Sequence, residues 1–492
     1  SNLRRWKLIN NPWFWVYVSS WFINLLLLIS MIFLERKKFS SIVCWMTVLT
    51  VLPVVGYIFY IVMGNGLSYR TRKMINKHKL YELDYNDQIK NILSMQEDLR
   101  DKLVEDSSII KCCYNLGSIL CPGNKIEFYR WGTEKIAALK KDLLNAKKSI
   151  NMEYYIFADD VAGKEIMNIL IKKAKEGVKV RFIFDSIGCL GAPRRFFRKL
   201  KKAGGEVAEF FPPFGHIRML NLKMNYRNHR KIVVIDGKIA YTGGMNIRDD
   251  HIYGTKKKCS PWRDAHVRLE GSGVYILQNI FLNDWRYCKK EEKKPDEYVK
   301  EGYFPKLDVI GETSLQVIAS GPDTSMQTIK DCYIKLITNA QRYVVIESPY
   351  FVPDESFMSS IKIALASGVK VIIIIPQKPD HKAIFHVSIS YLQELIQMGV
   401  EVYLYKGFMH AKALIVDGNK ISIGTCNTDN RSFALNFEDT LVMYSKEVAG
   451  QYMKTVDEDI KNSVRVDAEY YKKRRWYTKF LQAIYRLGSP IL

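Results

Sequence analysis

Acidic residues are missing where this 492-residue chain is most apolar. Residues 1 to 74 hold Glu35 as their one acid against nine Lys and Arg, and residues 471 to 492 hold six basic residues and no acid. Fourteen of the 23 net positive charges therefore sit at the two ends. A nucleic-acid binder more often carries such charge as a stripe on its folded part, whereas basic ends beside apolar segments suit anionic lipid. Cysteine is sparse and lacks a pairing pattern. Nine of them, with no CxxC, exclude a small disulfide scaffold and a zinc ribbon, and reduced thiols facing the cytoplasm are the default. With 29 Gly, 15 Pro and 48% hydrophobic residues, the composition excludes collagen-like and disordered chains, and the length suggests about three domains.

What is present begins with two long apolar runs. Trp13 to Leu34 is 22 residues without a charge, and Phe39 to Tyr69 adds 31 more after Glu35-Arg-Lys-Lys38. A helix needs about 20 apolar residues to cross a bilayer, so both runs are expected to span as a tight transmembrane helical hairpin with its ends on one side. The basic residues at the two ends (Arg4, Arg5, Lys7; Arg70, Arg72, Lys73) outnumber the three in the turn, which favours the cytoplasm for those ends. Pro53 and Gly56 leave a re-entrant hairpin open.

An internal repeat carries the chemistry. His229-Arg-Lys231-Ile-Val-Val-Ile-Asp236-Gly237 recurs 181 residues later as His410-Ala-Lys412-Ala-Leu-Ile-Val-Asp417-Gly418. Asn246 and Asn427 each lie 17 residues after their histidine, in Gly243-Gly-Met-Asn246 and Gly424-Thr425-Cys-Asn427. In both copies a helical pattern precedes a β-branched run, then a helix ending at Gly177 or Gly368, then an apolar strand. Such alternation argues an α/β sheet covered on both faces, present twice. In a strand, side chains two apart share a face, which sets each histidine beside its lysine. Asp236-Gly237 and Asp417-Gly418 are hairpin-turn signals. At odd spacing from the histidines, both aspartates are read first as turn and orienting residues and only second as catalytic.

These groups suit phosphodiester exchange. Two lysines and two asparagines can hold the non-bridging oxygens, one imidazole can attack phosphorus, and a protonated imidazole opposite can give its proton to the departing alkoxide. No metal-ligand cluster is evident from spacing. Glu438 and Asp264 lie 28 and 35 residues after the histidines of their own repeats and are expected to fix the imidazole tautomers.

With these motifs the chain resembles the phospholipase D superfamily, marked by the doubled HxKxxxxD, and within it the bacterial cardiolipin synthases. Further points of likeness are Tyr226-Arg-Asn-His229, Ser320-Gly-Pro-Asp323, Pro349-Tyr-Phe-Val-Pro-Asp354, Asn427-Thr-Asp429-Asn-Arg431-Ser-Phe433 and the terminal Ser489-Pro-Ile-Leu492. The resemblance implies two tandem phospholipase D-like α/β sandwich domains with pseudo-two-fold symmetry behind the hairpin. It implies transfer of a phosphatidyl group between two phosphatidylglycerols, giving cardiolipin and glycerol without metal or nucleotide, through a phosphatidyl-histidine. It assigns His229, Lys231, Asp236, His410, Lys412 and Asp417 to the catalytic positions, with Asn246 and Asn427 alongside. In similar enzymes the first histidine usually attacks, which makes His229 the nucleophile and His410 the acid and then the base. Thr425 has Gly244 as its counterpart, so a hydroxyl on the phosphate could come only from the second half.

The expected organisation is a hairpin (1–74), a helical connector (75–125), two catalytic domains (126–300 and 301–470) and a basic amphipathic tail (471–492). In that tail Trp476, Phe480, Ile484 and Leu487 share one face. The expected setting is a bacterial cell membrane with the catalytic domains on the cytoplasmic side, phosphatidylglycerol and the bilayer as partners, and no nucleic acid; a homo-oligomer is left open. A hydrolytic phospholipase D and an inactive lipid-binding scaffold stand as alternatives, and the intact His and Lys of both repeats argue against the scaffold.

Overall fold

The computed structural model describes residues 11–33, 39–60, 69–77, 103–212, 225–254, 262–306 and 309–488. The turn between the two apolar runs, residues 78–102 of the expected connector and the terminal Ser489–Leu492 lie outside them.

The first apolar run forms the 22-residue helix Pro12–Phe33. The second does not form one long helix. It breaks at Leu52 into Phe39–Val51 and Pro53–Phe59, 13 and 7 residues, because a proline at 53 supplies no N–H to continue the helical ladder. These pieces pack on each other around Trp45, Leu49 and Tyr60, and Asn24 Nδ2 donates to the Leu49 carbonyl at 3.1 Å. Side chains at 27 and 30–33 are not among those described, and among the described residues no helix is long and apolar enough to cross a membrane. The spanning hairpin expected from run length is thus not what these residues show.

The repeat becomes one continuous sheet. The first half supplies β1 (Leu120–Trp131), β2 (Ser149–Tyr154), β3 (Lys179–Asp185), β4 (Glu206–Phe210), β5 (Arg227–Asn228), β6 (Lys231–Ile235), β7 (Ile239–Gly243) and β8 (Arg263–Glu270). The second supplies β9 (Thr313–Ser320), β10 (Tyr343–Glu347), β11 (Phe351–Val352), β12 (Lys370–Pro376), β13 (Glu401–Tyr405), β14 (Ala413–Val416), β15 (Lys420–Gly424), β16 (Thr428–Asp429), β17 (Asn436–Tyr444) and β18 (Ser463–Val466). Across the first half the order is β4-β3-β2-β6-β7-β8-β1, and across the second β13-β12-β10-β14-β15-β17-β9, with β18 added at the far edge. The halves join where β1 pairs antiparallel with β9, Cys121 opposite Leu315. This pairing gives the molecule its pseudo-two-fold axis. The sheet is mixed: β2, β3 and β4 run parallel, and β6, β7 and β8 are joined antiparallel.

Strands built from runs such as Ile232-Val-Val-Ile235 are buried throughout, as sheets covered on both faces require. One core belongs to the first half, one to the second, and a third combines residues of both, among them Phe281 and Trp285 with Met409, Phe437 and Leu441. A buried ion-pair cluster adds a polar tie, Arg263 of β8 reaching Glu347 at 3.2 Å and Asp459 at 2.5 Å. The halves are therefore joined by a continuous sheet, a shared core and a buried ion-pair cluster.

Candidate active site

Each Asp-Gly pair turns a hairpin. Asp236 and Gly237 have φ of 53° and 66°, and Asp417 and Gly418 have 54° and 69°, the left-handed pair that a two-residue type I′ connection demands. At Gly237 an added Cβ would stand 2.5 Å from the Tyr303 carbonyl oxygen. The aspartate side chains turn away from the histidines, as their spacing suggests. Asp236 accepts from the backbone N–H groups of Lys147, Lys148 and Ser149 at 2.7–2.9 Å. Asp417 does the same for Gln341, Arg342 and Tyr343 at 2.7–3.0 Å. Both fasten the entry to the neighbouring strand, and neither lines the cleft, which corrects the catalytic position that the resemblance gave them.

The histidines sit two and three residues before their strands, β6 and β14, on segments that cross between the halves. β5 pairs in parallel with the start of β17, so His229 N donates to the Phe437 carbonyl at 2.9 Å. Met409 bridges Arg263 at the start of β8, so His410 N donates to the Arg263 carbonyl at 2.7 Å. As a result His229 Nδ1 lies 2.9 Å from Glu438 Oε2, and His410 Nδ1 lies 2.7 Å from Asp264 Oδ2. Both expected carboxylates meet a histidine, but each meets the one in the other repeat. Sequence distance suggested the nearer partner, and inter-strand pairing decided otherwise.

Each lysine folds back on its own motif: Lys231 Nζ donates to the His229 carbonyl at 2.6 Å, and Lys412 Nζ donates to that of His410. His229, His410, Asn246 and Asn427 line one cavity of about 460 Å³ together with Tyr155, Trp262 and Tyr350. Asn246 Oδ1 accepts from Ile156 N at 3.2 Å, which aims its amide N–H₂ elsewhere. Asn427 Oδ1 is buried without a hydrogen-bond partner among the described residues. Thr425 is different. Its hydroxyl accepts from Asp439 N at 3.0 Å and faces the Asp439 carbonyl at 3.2 Å, so it braces β17 instead of reaching substrate, contrary to the expectation. Its counterpart Gly244 is glycine for a steric reason: a Cβ there would stand 2.0 Å from Asp264 Oδ1.

Burial dominates the electrostatics. It holds the His229 imidazolium pKa down to about 4 against the pull of Glu438, with Lys231 and Lys412 pressing the same way as burial. His410 is held well below the usual range by burial, then by Lys412, Lys231 and His229. Burial also lowers Lys231 to about 7 and Lys412 to about 8. Burial pushes Asp264 up to about 6. For Glu438 burial raises and is outweighed by His229 and Lys231, leaving it below its ordinary value. Both imidazoles are accordingly neutral at neutral pH, in a field set by two buried lysines. An anion entering this cavity relieves that field and raises the histidine pKa values.

Several cleft residues carry no mark in the sequence, among them Arg248, Asp380, His381 and, nearest the chemistry, His251. His251, on the short helix Asp249–Ile252, has its ring centroid 5.4 Å from that of His410, and its Nδ1 is buried without a hydrogen-bond partner among the described residues. A lone histidine outside the repeat carries no pattern to mark it. Ligand atoms of His251, Asp264 and His410 lie within 4.8 Å of one another, a grouping invisible in the spacing. Asp264 is already engaged by His410, and the His251 pKa is lowered first by burial and then by His410, Arg248, Lys412 and Lys231, a set of neighbours that favours an anion over a cation. Arg227, Arg248 and Arg431 line the same cavity.

Comparison with known proteins agrees with this geometry. Residues 139–257 and 333–460 match the family described as "Cardiolipin synthase, PLD-like domain". A cardiolipin synthase of Listeria monocytogenes serotype 4a (strain HCC23) is 40% identical over 94% of this chain and 95% of its own length. The major cardiolipin synthase ClsA of Bacillus subtilis (strain 168) is 37% identical over 97% of this chain and 99% of its own. The crystal structure of phosphatidylserine synthase from Haemophilus influenzae Rd KW20 superposes with a TM-score of 0.60 at 17% identity, covering 78% of this chain and all of that one, a likeness of fold. Doubled histidine–lysine motifs facing one cleft, on a sheet that runs through both halves, and near-full-length identity to these enzymes lead to one assignment: the chain belongs to the cardiolipin synthase family of phospholipase D-like phosphatidyltransferases.

Proposed function

We propose that the protein transfers a phosphatidyl group from one phosphatidylglycerol to another, releasing glycerol and forming cardiolipin, through a covalent intermediate on His229. The observation that carries the reading is the pair of crossed histidine–carboxylate dyads lining one cavity with two buried lysines behind them. Glu438 holds the Nδ1 proton of neutral His229 and leaves Nε2 with its lone pair. Nε2 attacks phosphorus, a P–N bond forms, and the P–O bond to the headgroup glycerol breaks. That glycerol leaves with a proton from His410, whose pKa rises once the phosphate offsets Lys231 and Lys412. A hydroxyl of the second phosphatidylglycerol then gives its proton to His410, attacks phosphorus and releases His229. Lys231, Lys412 and the amides of Asn246 and Asn427 serve the non-bridging oxygens, where charge develops in the transition state.

The difference from a hydrolase is exclusion of water from the second step. Tyr155, Trp262 and Tyr350 at the cavity wall support exclusion. The setting we infer is a bacterial cell membrane, with the N-terminal helices as anchor and the catalytic halves on the cytoplasmic side. Its support is the outward apolar side chains of the first helix, such as Trp13, Trp15, Phe22 and Leu26, which are exposed rather than packed. Incubation of the purified protein with phosphatidylglycerol vesicles tests the reading: cardiolipin and glycerol in equal amounts are expected, and phosphatidic acid as main product would make it a hydrolase.

A further inference from the structure

The C-terminal helix Trp476–Leu487 is amphipathic in the wrong sense for a surface helix of a soluble protein. Its inner face, against the helix Lys382–Gln397, is polar: Gln482 is only 4% exposed and accepts from Arg474, whose guanidinium also reaches Gln393 at 2.5 Å. The outer face is apolar. Trp476 is 78% exposed, Phe480 59% and Ile484 46%, at intervals of four residues, with Tyr477 and Leu481 beside them. A helix that served only to cover the protein would turn this face inward. Exposed Lys472, Arg475 and Lys479 lie at and before the helix's first turn, Lys473 pairs with Glu469 at 2.8 Å, and Arg486 turns back to Glu394 on the partner helix at 3.6 Å. An exposed apolar stripe with cations at one end matches the boundary of an anionic bilayer, where apolar side chains enter the acyl region and cations meet phosphates.

Position ties this face to the cleft. The Tyr485 ring stacks on His386 at 6.2 Å, Arg486 lies over Tyr391 at 4.7 Å and within 3.6 Å of Glu394, and Arg474 reaches Gln393. Through Tyr485 the last turn of the terminal helix therefore stands beside the first turn of its partner. That first turn ends in the cavity wall, where Asp380, His381 and Ile384 are found. Ile384 and His386 are two residues apart, about 3 Å along a helix axis. We infer that the outer face of the terminal helix docks on an anionic bilayer and seats the mouth of the cleft at headgroup level, so that lipid enters from the membrane without crossing water. This rests on lipid being the substrate.

The test uses the full chain in vesicles of phosphatidylglycerol and phosphatidylcholine. Quenching of Trp476 by brominated acyl chains, isolated as the difference between wild type and Trp476→Phe, is expected if the face is buried in lipid. The triple variant Trp476→Ser, Phe480→Ser, Ile484→Ser removes only exposed side chains. It is expected to lose about tenfold or more of its rate on vesicle phosphatidylglycerol while keeping its rate on dispersed short-chain phosphatidylglycerol. Absence of the quenching difference, or equal rates relative to wild type on the two substrates, would overturn docking. Should wild type form no cardiolipin from either substrate, the substrate reading fails, and the quenching difference still decides whether the helix docks.

Discussion

The His229 and His410 halves of the cleft share a backbone frame but not an environment. In both, a crossed segment hands its histidine N–H to the opposite half and its Nδ1 to a carboxylate there. Around His410 the walls are aromatic: Trp262 at 5.4 Å, Phe408 at 5.8 Å and His251 at 5.4 Å between ring centroids. Near His229 stands Tyr155 at 4.8 Å. Partner acidity diverges as well, Asp264 being raised to about 6 by burial while Glu438 is held low. The repeat thus fixes where the imidazoles stand, and the unrepeated surroundings decide what each can do. On the proposed mechanism, Glu438, held low, suits a histidine that acquires positive charge as it bonds phosphorus. On the proposed roles, the weaker acid Asp264 suits the histidine that only passes a proton.

The largest effect expected to sharpen this contrast comes from the histidines themselves. His229→Ala should abolish turnover, a loss of about 10⁴-fold or more, and leave no adduct with a substrate whose leaving group needs no proton. His410→Ala should be similarly slow on phosphatidylglycerol yet accumulate phosphatidyl-His229 from that activated substrate, seen by mass spectrometry; modification of His410 in the first variant would reverse the roles. Next come the carboxylates. Glu438→Gln is expected to cost about 10³–10⁴-fold and Asp264→Asn less, about 10²-fold. Imidazole NMR should show each substitution moving the pKa of the histidine in the other repeat only.

Lysine substitutions rank third. Lys231→Met should lower kcat/KM by about 10²-fold. In wild type, deprotonation of Lys231 near 7 and Lys412 near 8 removes charge that holds phosphate. Thus kcat/KM should fall on the alkaline side from about pH 7, and below about pH 4 as His229 gains a proton. In Lys231→Met the alkaline limb should move toward the Lys412 value. Gly244→Ala, which drives a methyl group into Asp264, should impair the His410 half selectively, by about tenfold. Smallest in catalysis are Asp236→Asn and Asp417→Asn, expected to lower stability by about 1–3 kcal/mol in thermal unfolding while the folded fraction keeps its kcat.

How much of this is legible in the chain follows from where each interaction lies. His229, His410 and Lys412 precede their strands, so a strand period does not govern them, whereas the Asp-Gly turn is local and its type I′ signal suffices to place it. Asp236 and Asp417 point away from the histidines for that same local reason. Glu438 and Asp264 could be singled out as acids opening strands, but which histidine each meets depends on β5 reaching β17 and Met409 reaching Arg263, pairings between residues some 150 to 210 apart in sequence. Thr425 was misread because a hydroxyl next to a motif says nothing of whether strand β17 claims it first. His251 has no repeat partner and no pattern. In the N-terminal runs length is legible, whereas the break at Pro53 turns on one missing N–H.

Crossing of the histidine segments has a consequence for how this enzyme comes into being. A half that has folded alone presents an imidazole with no carboxylate to set its tautomer and no second imidazole to complete the proton transfer. Catalytic competence therefore arrives only with docking of the halves, late and all at once. During synthesis the first half emerges with its lysine and histidine, yet its dyad is complete only when β17 brings Glu438 to it. The same design couples the two copies in evolution: a drift that misplaces one histidine segment disables the opposite dyad, so a duplicated domain is held to its original spacing by the needs of its twin.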